Sequence, residues 1–319
     1  MKLVVLERNT VGTDIDVSDF GQFGEVTYYK NTVKEEVAEH VGDADIIIAN
    51  KAPINEETIG ACPNVKMVCE FATGFDNVDL EYCRKRNIAV TNVVDYCTDS
   101  VAQHTFAMAL FLFEKLHYYD NYVKSGAYGA QDKFSNFDRQ FGELSGKTWG
   151  IVGLGNIGKK VAHIAKAFGC KVIYYSVTGK NTCSEYENVS FDDLLKESDI
   201  LSIHCPLSDL TRNLIDREAL CKMKKSALLI NVARGAVVNN VDLAWALNEN
   251  VIAGAGLDVL DGEPIRMDNP LGDIKDSEKL IITPHMAWGS VEARTRIVEA
   301  ACENIRSFLN GEKRNRVDL

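Results

Sequence analysis

Arg234, Asp258, Glu263 and His285 each follow an apolar, strand-like run, and their types suit binding a carboxylate and moving a proton. Asn231-Val232-Ala233-Arg234-Gly235 closes the run that begins at Ala227. An arginine there presents a planar fork of N–H donors to a carboxylate and to a neighbouring carbonyl oxygen. The next run ends in Gly256-Leu257-Asp258-Val259-Leu260-Asp261-Gly262-Glu263-Pro264. Asp258 can accept from a carboxamide, and Glu263 can face a cleft. Thr283-Pro284-His285-Met286-Ala287-Trp288 ends the run after that. Histidine is the side chain that exchanges protons near neutral pH, and a carboxylate beside it favours the imidazolium. Each residue alone has a plainer structural reading: an arginine paired on the surface, an acidic turn in water, a histidine bonded to backbone. Their recurrence at three successive strand ends is what points to chemistry on a small acid.

Earlier in the chain, Gly153-Leu154-Gly155-Asn156-Ile157-Gly158 supplies a place for a dinucleotide. Thr148 to Val152 reads as a buried strand, Lys159 to Phe168 as a helix, and Lys171 to Tyr175 as a second strand. Strand, G-x-G-x-x-G and helix in that order form a dinucleotide fingerprint. Gly153 makes the turn, Gly155 lets backbone approach a pyrophosphate, and Gly158 lets helix and strand pack closely. The amides of Asn156 and Ile157 open the helix, where an anion is favoured. An acidic residue usually ends the second strand and binds the ribose hydroxyls of NAD. Here Ser176 stands at that place, and no carboxylate follows until Glu185. Lys180 lies near enough in sequence to attract a 2′-phosphate, so both NAD and NADP remain open.

The elements around these residues read as two α/β units. The first hundred residues alternate candidate strands (Lys2 to Leu6, Glu25 to Tyr29, Asp45 to Ala49, Lys66 to Phe71, Ile88 to Thr91) with candidate helices (Thr32 to Val41, Asn55 to Cys62, Val78 to Arg86). Alternation of this kind implies a parallel sheet covered by helices. The loop Ala72-Thr73-Gly74-Phe75-Asp76-Asn77 follows a strand's carboxyl end, where open α/β sheets place ligands. Capping boxes are expected at Thr32 with Glu35 and at Ser100 with Gln103, the latter opening a buried helix to about His117. Residues 119–145 read as a loop-rich connection. Strands and helices then alternate from Lys147 to His285, and a last helix spans Ser290 to Leu309. The expected domains are 1–99 with 288–319, a discontinuous substrate domain, and 100–287, a Rossmann-type nucleotide domain. His104 reads as a core residue, and His204 as shaping the adenosine side.

The chain has 319 residues, a net charge of −11 and nine cysteines. The charge disfavours nucleic acid and anionic membranes as partners. The longest apolar run, Phe106 to Phe113, falls far short of the roughly 20 residues of a membrane span. Scattered cysteines without ligand spacing indicate reduced thiols and no metal site. Met1 leads straight into a strand, so no secretory signal is expected and the cytoplasm is the expected location.

Over essentially its whole length the sequence resembles the D-isomer-specific 2-hydroxyacid dehydrogenase family. The resemblance is carried by Gly153 to Gly158, His204-Cys205-Pro206-Leu207, Asn231 to Gly235, Leu257-Asp258-Val259 with Glu263-Pro264, and Thr283-Pro284-His285. It implies Arg234 as substrate clamp, His285 as acid/base and Glu263 as its partner. It further implies Asp258 at the nicotinamide carboxamide and the amides of Thr73 and Gly74 at the substrate carboxylate. Cys205, Pro206, Val232, Ala233 and Trp288 join Ser176 among the expected cofactor contacts. A homodimer formed through the nucleotide domains and a hinge-closing cleft are also implied. Phe71-Ala72-Thr73-Gly74, Ser100-Val101-Ala102-Gln103 and Ala287-Trp288 with Glu292-Ala293-Arg294 are similar to the glycerate dehydrogenase (hydroxypyruvate reductase) branch. The rival expectations are a dinucleotide-sensing corepressor-like protein and a related enzyme for a bulkier 2-oxo acid or for phosphite. Formate is disfavoured, because formate dehydrogenases carry glutamine where Glu263 stands.

Overall fold

The structure, a computed structural model, describes all 319 residues. They divide into two compact units, Met1–Cys97 with Gly289–Leu319, and Thr98–Trp288. The sequence places these boundaries after residue 99 and after residue 287.

In the first unit β1 (Lys2–Val5), β2 (Glu25–Tyr28), β3 (Ile46–Ala49), β4 (Met67–Glu70) and β5 (Ala89–Thr91) form one sheet, ordered β2-β1-β3-β4-β5. Every pairing is parallel. The interior strands are buried on both faces, which is why Ile46-Ile47-Ile48 reads as a continuous apolar run rather than an alternating one. Val4, Ile47, Val68 and Val90 pack on one face with Val37, Val41, Ile59 and Cys83. The helix Val291–Leu309 belongs to this unit and packs on β4. Ser290 caps it through Ala293 N–H at 3.2 Å, and Ile297, Ala301 and Ile305 line its buried stripe. The capping box expected at Thr32 is not formed. Thr32 Oγ1 instead donates to Leu6 O at 2.6 Å, and Glu36 reaches back to Val33 N–H at 3.3 Å, at the start of a 3₁₀ turn over Lys34–Glu36.

The second unit holds β6 (Thr148–Val152), β7 (Lys171–Tyr175), β8 (Glu187–Asn188), β9 (Ile200–Ile203), β10 (Leu228–Asn231), β11 (Gly254–Leu257) and β12 (Leu280–Ile282). Their order is β12-β11-β10-β9-β6-β7-β8, again parallel throughout. The chain runs outward from β6 in one direction and then outward from β9 in the other, so the switch point lies between β6 and β9. Alternate residues feed two cores. Trp149, Ile151, Leu228 and Ile230 meet Phe106 and Val161, while Leu201, Ile203, Leu229 and Leu257 meet Leu194, Leu220 and Leu243. The fold is thus α/β, with a Rossmann-type doubly wound sheet and a smaller five-stranded α/β unit.

Three expectations are corrected here. The long helix spans Thr98–Phe113, so Ser100 lies inside it and its Oγ donates to Ala287 O at 2.6 Å instead of forming a box with Gln103. The helix stops short of His117 because Lys115 adopts a left-handed conformation, φ 56°. Residues 119–145 are not simply loop, since helices Leu116–Lys124 and Ala127–Ala130 occupy much of that stretch. β8 has only two exposed polar residues and carries no sequence signal.

Candidate active site

The switch point is built by glycine. Gly153 has φ +90°, and a Cβ there would lie 2.9 Å from the Cys205 backbone. The turn after β6 and the turn after β9 therefore touch only because Gly153 has no side chain. A Cβ at Gly158 would stand 2.3 Å from Gly153 O, which fixes how closely the helix Asn156–Ala167 approaches the strand. A Cβ at Gly155 would meet no atom within 4 Å. Gly155 is also the N-cap of that twelve-residue helix and supplies no side-chain cap to its first amides. Close packing at Gly153 and Gly158 with open space at Gly155, where the helix begins, fits a dinucleotide's pyrophosphate.

Ser176 follows β7 and is buried at 8% exposure. The first carboxylate after it, Glu185, pairs with Lys166 at 3.0 Å. Cys205 is buried and Pro206 exposed, next to His204. Trp149 Nε1 donates to Ser202 Oγ at 2.9 Å, and His204 Nε2 lies 3.0 Å from the same oxygen. His204 Nδ1 is buried without a partner, and burial pushes the ring's pKa down to about 3. Burial thus favours the neutral ring.

The carboxyl ends of β10, β11 and β12 lie side by side, in the register Asn231↔Leu257 and Leu257↔Ile282. Asn231 is fully buried and shapes the turn beyond β10, accepting from Ala233 N–H at 3.1 Å and donating to Arg234 O at 3.0 Å. Arg234 is partly exposed, with Nη1 donating to Ala233 O at 2.8 Å. A Cβ on the next residue, Gly235, would fall 1.8 Å from the Leu260 carbonyl carbon, so the turns after β10 and β11 are in backbone contact. Leu260 N–H donates to Glu263 Oε1 at 2.8 Å, and Glu263 Oε2 accepts from His285 Nδ1 at 2.7 Å. A carboxylate on Nδ1 favours the tautomer with the proton there and leaves Nε2 as the nitrogen that could exchange a proton.

His285 is itself in the left-handed region, φ 54°, a conformation costing a non-glycine residue roughly 1–2 kcal/mol. Its backbone N–H is held by Asp258 O at 2.8 Å. The Asp258 side chain, 2% exposed, holds the rest of the loop. Oδ1 accepts from Thr283 Oγ1 at 2.6 Å and Met286 N–H at 2.8 Å, and Oδ2 from Ala287 N–H at 2.9 Å. His104 Nε2 sits 3.0 Å from Thr283 Oγ1 and 3.6 Å from Asp258 Oδ1. His104 is thus a hydrogen-bonded, largely buried histidine, as the sequence suggests, and it also packs behind His285 through Thr283. Sequence reasoning missed that packing, and missed Thr283 and Asn231, because their roles depend on contacts across the fold. Trp288 and Val232 are partly buried.

In the first unit, Thr73 and Gly74 stand in the loop after β4. Thr73 Oγ1 donates to Val93 O at 2.8 Å, and Asn92 Nδ2 donates to Thr73 O at 2.7 Å.

Comparison with known proteins gives this arrangement its family. Residues 106–287 match the sequence profile of the D-isomer specific 2-hydroxyacid dehydrogenase NAD binding domain. The chain is 37% identical over 325 residues to a hydroxypyruvate reductase of Blautia hydrogenotrophica, covering all of both chains. It is 35% identical over 318 residues to a glycerate dehydrogenase of Methylorubrum extorquens, covering 99% of each. Among solved structures, a D-lactate dehydrogenase from Aquifex aeolicus, complexed with NAD and lactic acid, superposes with a TM-score of 0.87. That structure is 28% identical, with 100% of this chain and 99% of that one covered. No helix is long and apolar enough to cross a membrane. The fingerprint at a true switch point, the Glu263–His285 pair and these likenesses converge, and the chain belongs to the D-isomer-specific 2-hydroxyacid dehydrogenase family.

Proposed function

We propose that the protein interconverts a small 2-oxo acid of the hydroxypyruvate or glyoxylate type with its D-2-hydroxy acid. The observation that carries this reading is the 2.7 Å Glu263–His285 pair beside the Arg234 strand end. The names of the hydroxypyruvate reductase and glycerate dehydrogenase relatives support the substrate class. Arg234 would clamp the substrate carboxylate and draw density from the 2-carbonyl oxygen. Thr73 and Gly74 would add backbone donors to that carboxylate. A reduced nicotinamide, when bound on the glycine turn, would supply hydride chemistry at C2. As charge develops on the carbonyl oxygen, His285 Nε2 gives it a proton, and Glu263 stabilises the imidazolium that precedes transfer. In the oxidative direction His285 takes the proton back. Preset charges of this sort need no reorganisation at the moment of reaction.

The dinucleotide would lie on Gly153, Gly155, Asn156, Ile157 and Gly158, with Cys205 and Pro206 near the adenosine. Val232, Ala233, Asp258 and Trp288 would border the nicotinamide end. Ser176 neither demands a free ribose diol nor repels a 2′-phosphate, so NADH and NADPH would both serve. Assembly as a homodimer through the second unit is supported by Phe134, Phe137 and Phe141, which are 92%, 78% and 52% exposed there. A chain that sediments as a monomer at micromolar concentration would remove the dimer.

The test is a spectrophotometric screen of hydroxypyruvate, glyoxylate, pyruvate and branched or aromatic 2-oxo acids, run with NADH and again with NADPH. Oxidation of both cofactors with hydroxypyruvate or glyoxylate is expected. No oxidation of either cofactor by any of these acids would sink the proposal.

A further inference from the structure

One buried carboxyl of the first unit takes no part in the reaction above. Glu70, the last residue of β4, has no exposed surface. Its Oε1 accepts from Asn77 Nδ2 at 3.2 Å, while Oε2 is buried with no hydrogen-bond partner. The same Asn77 amide donates to Ala52 O at 3.0 Å, and Asn77 O accepts from Ile54 N–H at 2.8 Å. Ala52 rests in turn on Glu7, whose Oε2 accepts the N–H groups of Asn50, Lys51 and Ala52 at 2.7, 2.8 and 3.1 Å. Glu70 and Asn77 thus tie together the two ends of the loop that carries Thr73 and Gly74. Across the loop the bonds to Val93 and Asn92 are uncharged, and so do not respond to pH.

We propose that Glu70 is a positioning residue for the substrate-binding loop, and that it holds the loop in place only while its carboxyl is protonated. This rests on the proposed role of Thr73 and Gly74 in binding the substrate carboxylate. Burial raises the Glu70 pKa from its ordinary 4.5 to about 8, and the charge of Glu7 adds to the rise; Asn77 and Lys51 oppose it. The charged groups that act on it are therefore Glu7, beyond β1, and Lys51, beyond β3. At neutral pH the acid is uncharged and compatible with its apolar surroundings. Once ionised it is a buried carboxylate with one oxygen unserved by any donor, a strongly unfavourable state. Opening the loop to water relieves it, and Thr73 and Gly74 move with the loop. The sign follows from the raised pKa. Stabilisation by the protonated form is complete below about 4.5 and is lost as pH climbs through about 8.

Kinetics in the oxidative direction separate this effect from His285. There His285 must accept a proton, so alkaline pH favours the chemistry, opposite in sign to the Glu70 effect. In the parent enzyme KM for D-glycerate is expected to rise roughly tenfold from pH 7 to pH 10, equivalent to about one pKa unit of differential interaction. kcat should not fall over the same range. Glu70→Gln keeps an acceptor for Asn77 and cannot ionise, so its KM should match the parent at pH 7 and stay flat to pH 10. Glu70→Ala should raise KM already at pH 7. An alkaline KM rise in Glu70→Gln equal to the parent's would overturn the proposal. Amide hydrogen exchange across residues 72–78, corrected for intrinsic rates, gives a readout independent of turnover. Protection should drop between about pH 5 and pH 8 in the parent and not in Glu70→Gln, and equal behaviour of the two would also overturn it. If no 2-hydroxy acid is oxidised yet the exchange step appears, the dehydrogenase reading fails and Glu70's hold on the loop is upheld.

Discussion

Asp258, beyond β11, and Glu7, beyond β1, perform the same local task in different units. Each is a buried carboxylate that gathers three donors from the turn at a strand's carboxyl end. What differs is how the oxygens are used. Asp258 engages both, with two donors on Oδ1 and one on Oδ2. Glu7 takes all three backbone N–H groups on Oε2, and Oε1 has only a longer contact of 3.1 Å to Lys51 N–H. Behind Asp258 the turn carries His285 in a left-handed conformation; beside Glu7 lies Glu70, buried under the loop that carries Thr73 and Gly74. The same device therefore braces the turn of the proposed proton carrier through both oxygens in one unit, and braces the strand end beside the proposed binding loop mainly through one oxygen in the other.

This contrast can be broken experimentally. The largest effect should come from His285→Ala, which removes the proposed proton carrier and should lower kcat by about 10²- to 10⁴-fold. Dinucleotide affinity, followed by fluorescence titration, should stay near the parent value; parental turnover in this variant would remove the assignment altogether. Asp258→Asn comes next. The amide must turn its NH₂ toward a donor whichever way it is placed, leaving a buried N–H or hydroxyl unsatisfied at about 1–3 kcal/mol. Urea denaturation should register that loss, with kcat falling as the His285 turn shifts. Glu7→Gln should be the mildest. Its carbonyl oxygen can replace Oε2 toward all three amides, so the losses are the charge assistance and the longer Lys51 contact on Oε1, about 1 kcal/mol. That variant should raise KM and spare kcat. Equal damage to kcat from Glu7→Gln and Asp258→Asn would erase the distinction between the two regions.

Much of the fold is legible because parallel strands are buried on both faces and so announce themselves as short apolar runs, as Ile46-Ile47-Ile48 and Leu228-Leu229-Ile230 do. Helices with one apolar stripe, such as Val291–Leu309, are equally visible. The helix Leu116–Lys124 was not, since it has no buried residue and its aromatic, charged sequence resembles a surface connection. The two misplaced capping boxes share one cause. Ser, Thr and Glu at the right spacing form a box only if their side chains have no better partner, and Thr32 and Ser100 find one in Leu6 O and Ala287 O. Glu70 was invisible for a related reason, because a glutamate at a strand end is ordinarily read as solvated.

Residue type and spacing alone determined the glycine turn, the run of polar residues after successive strands and the family likeness, since these depend on local sterics and on chemistry that few side chains possess. The tertiary structure decided which groups meet. The 2.7 Å contact of His285 with Glu263, the support of the His285 turn by Asp258 and His104, and the isolation of Glu70 from water all join residues brought together by parallel strands. A hydrogen bond acts over about 3 Å, and chain spacing carries no information at that scale until the sheet has set it.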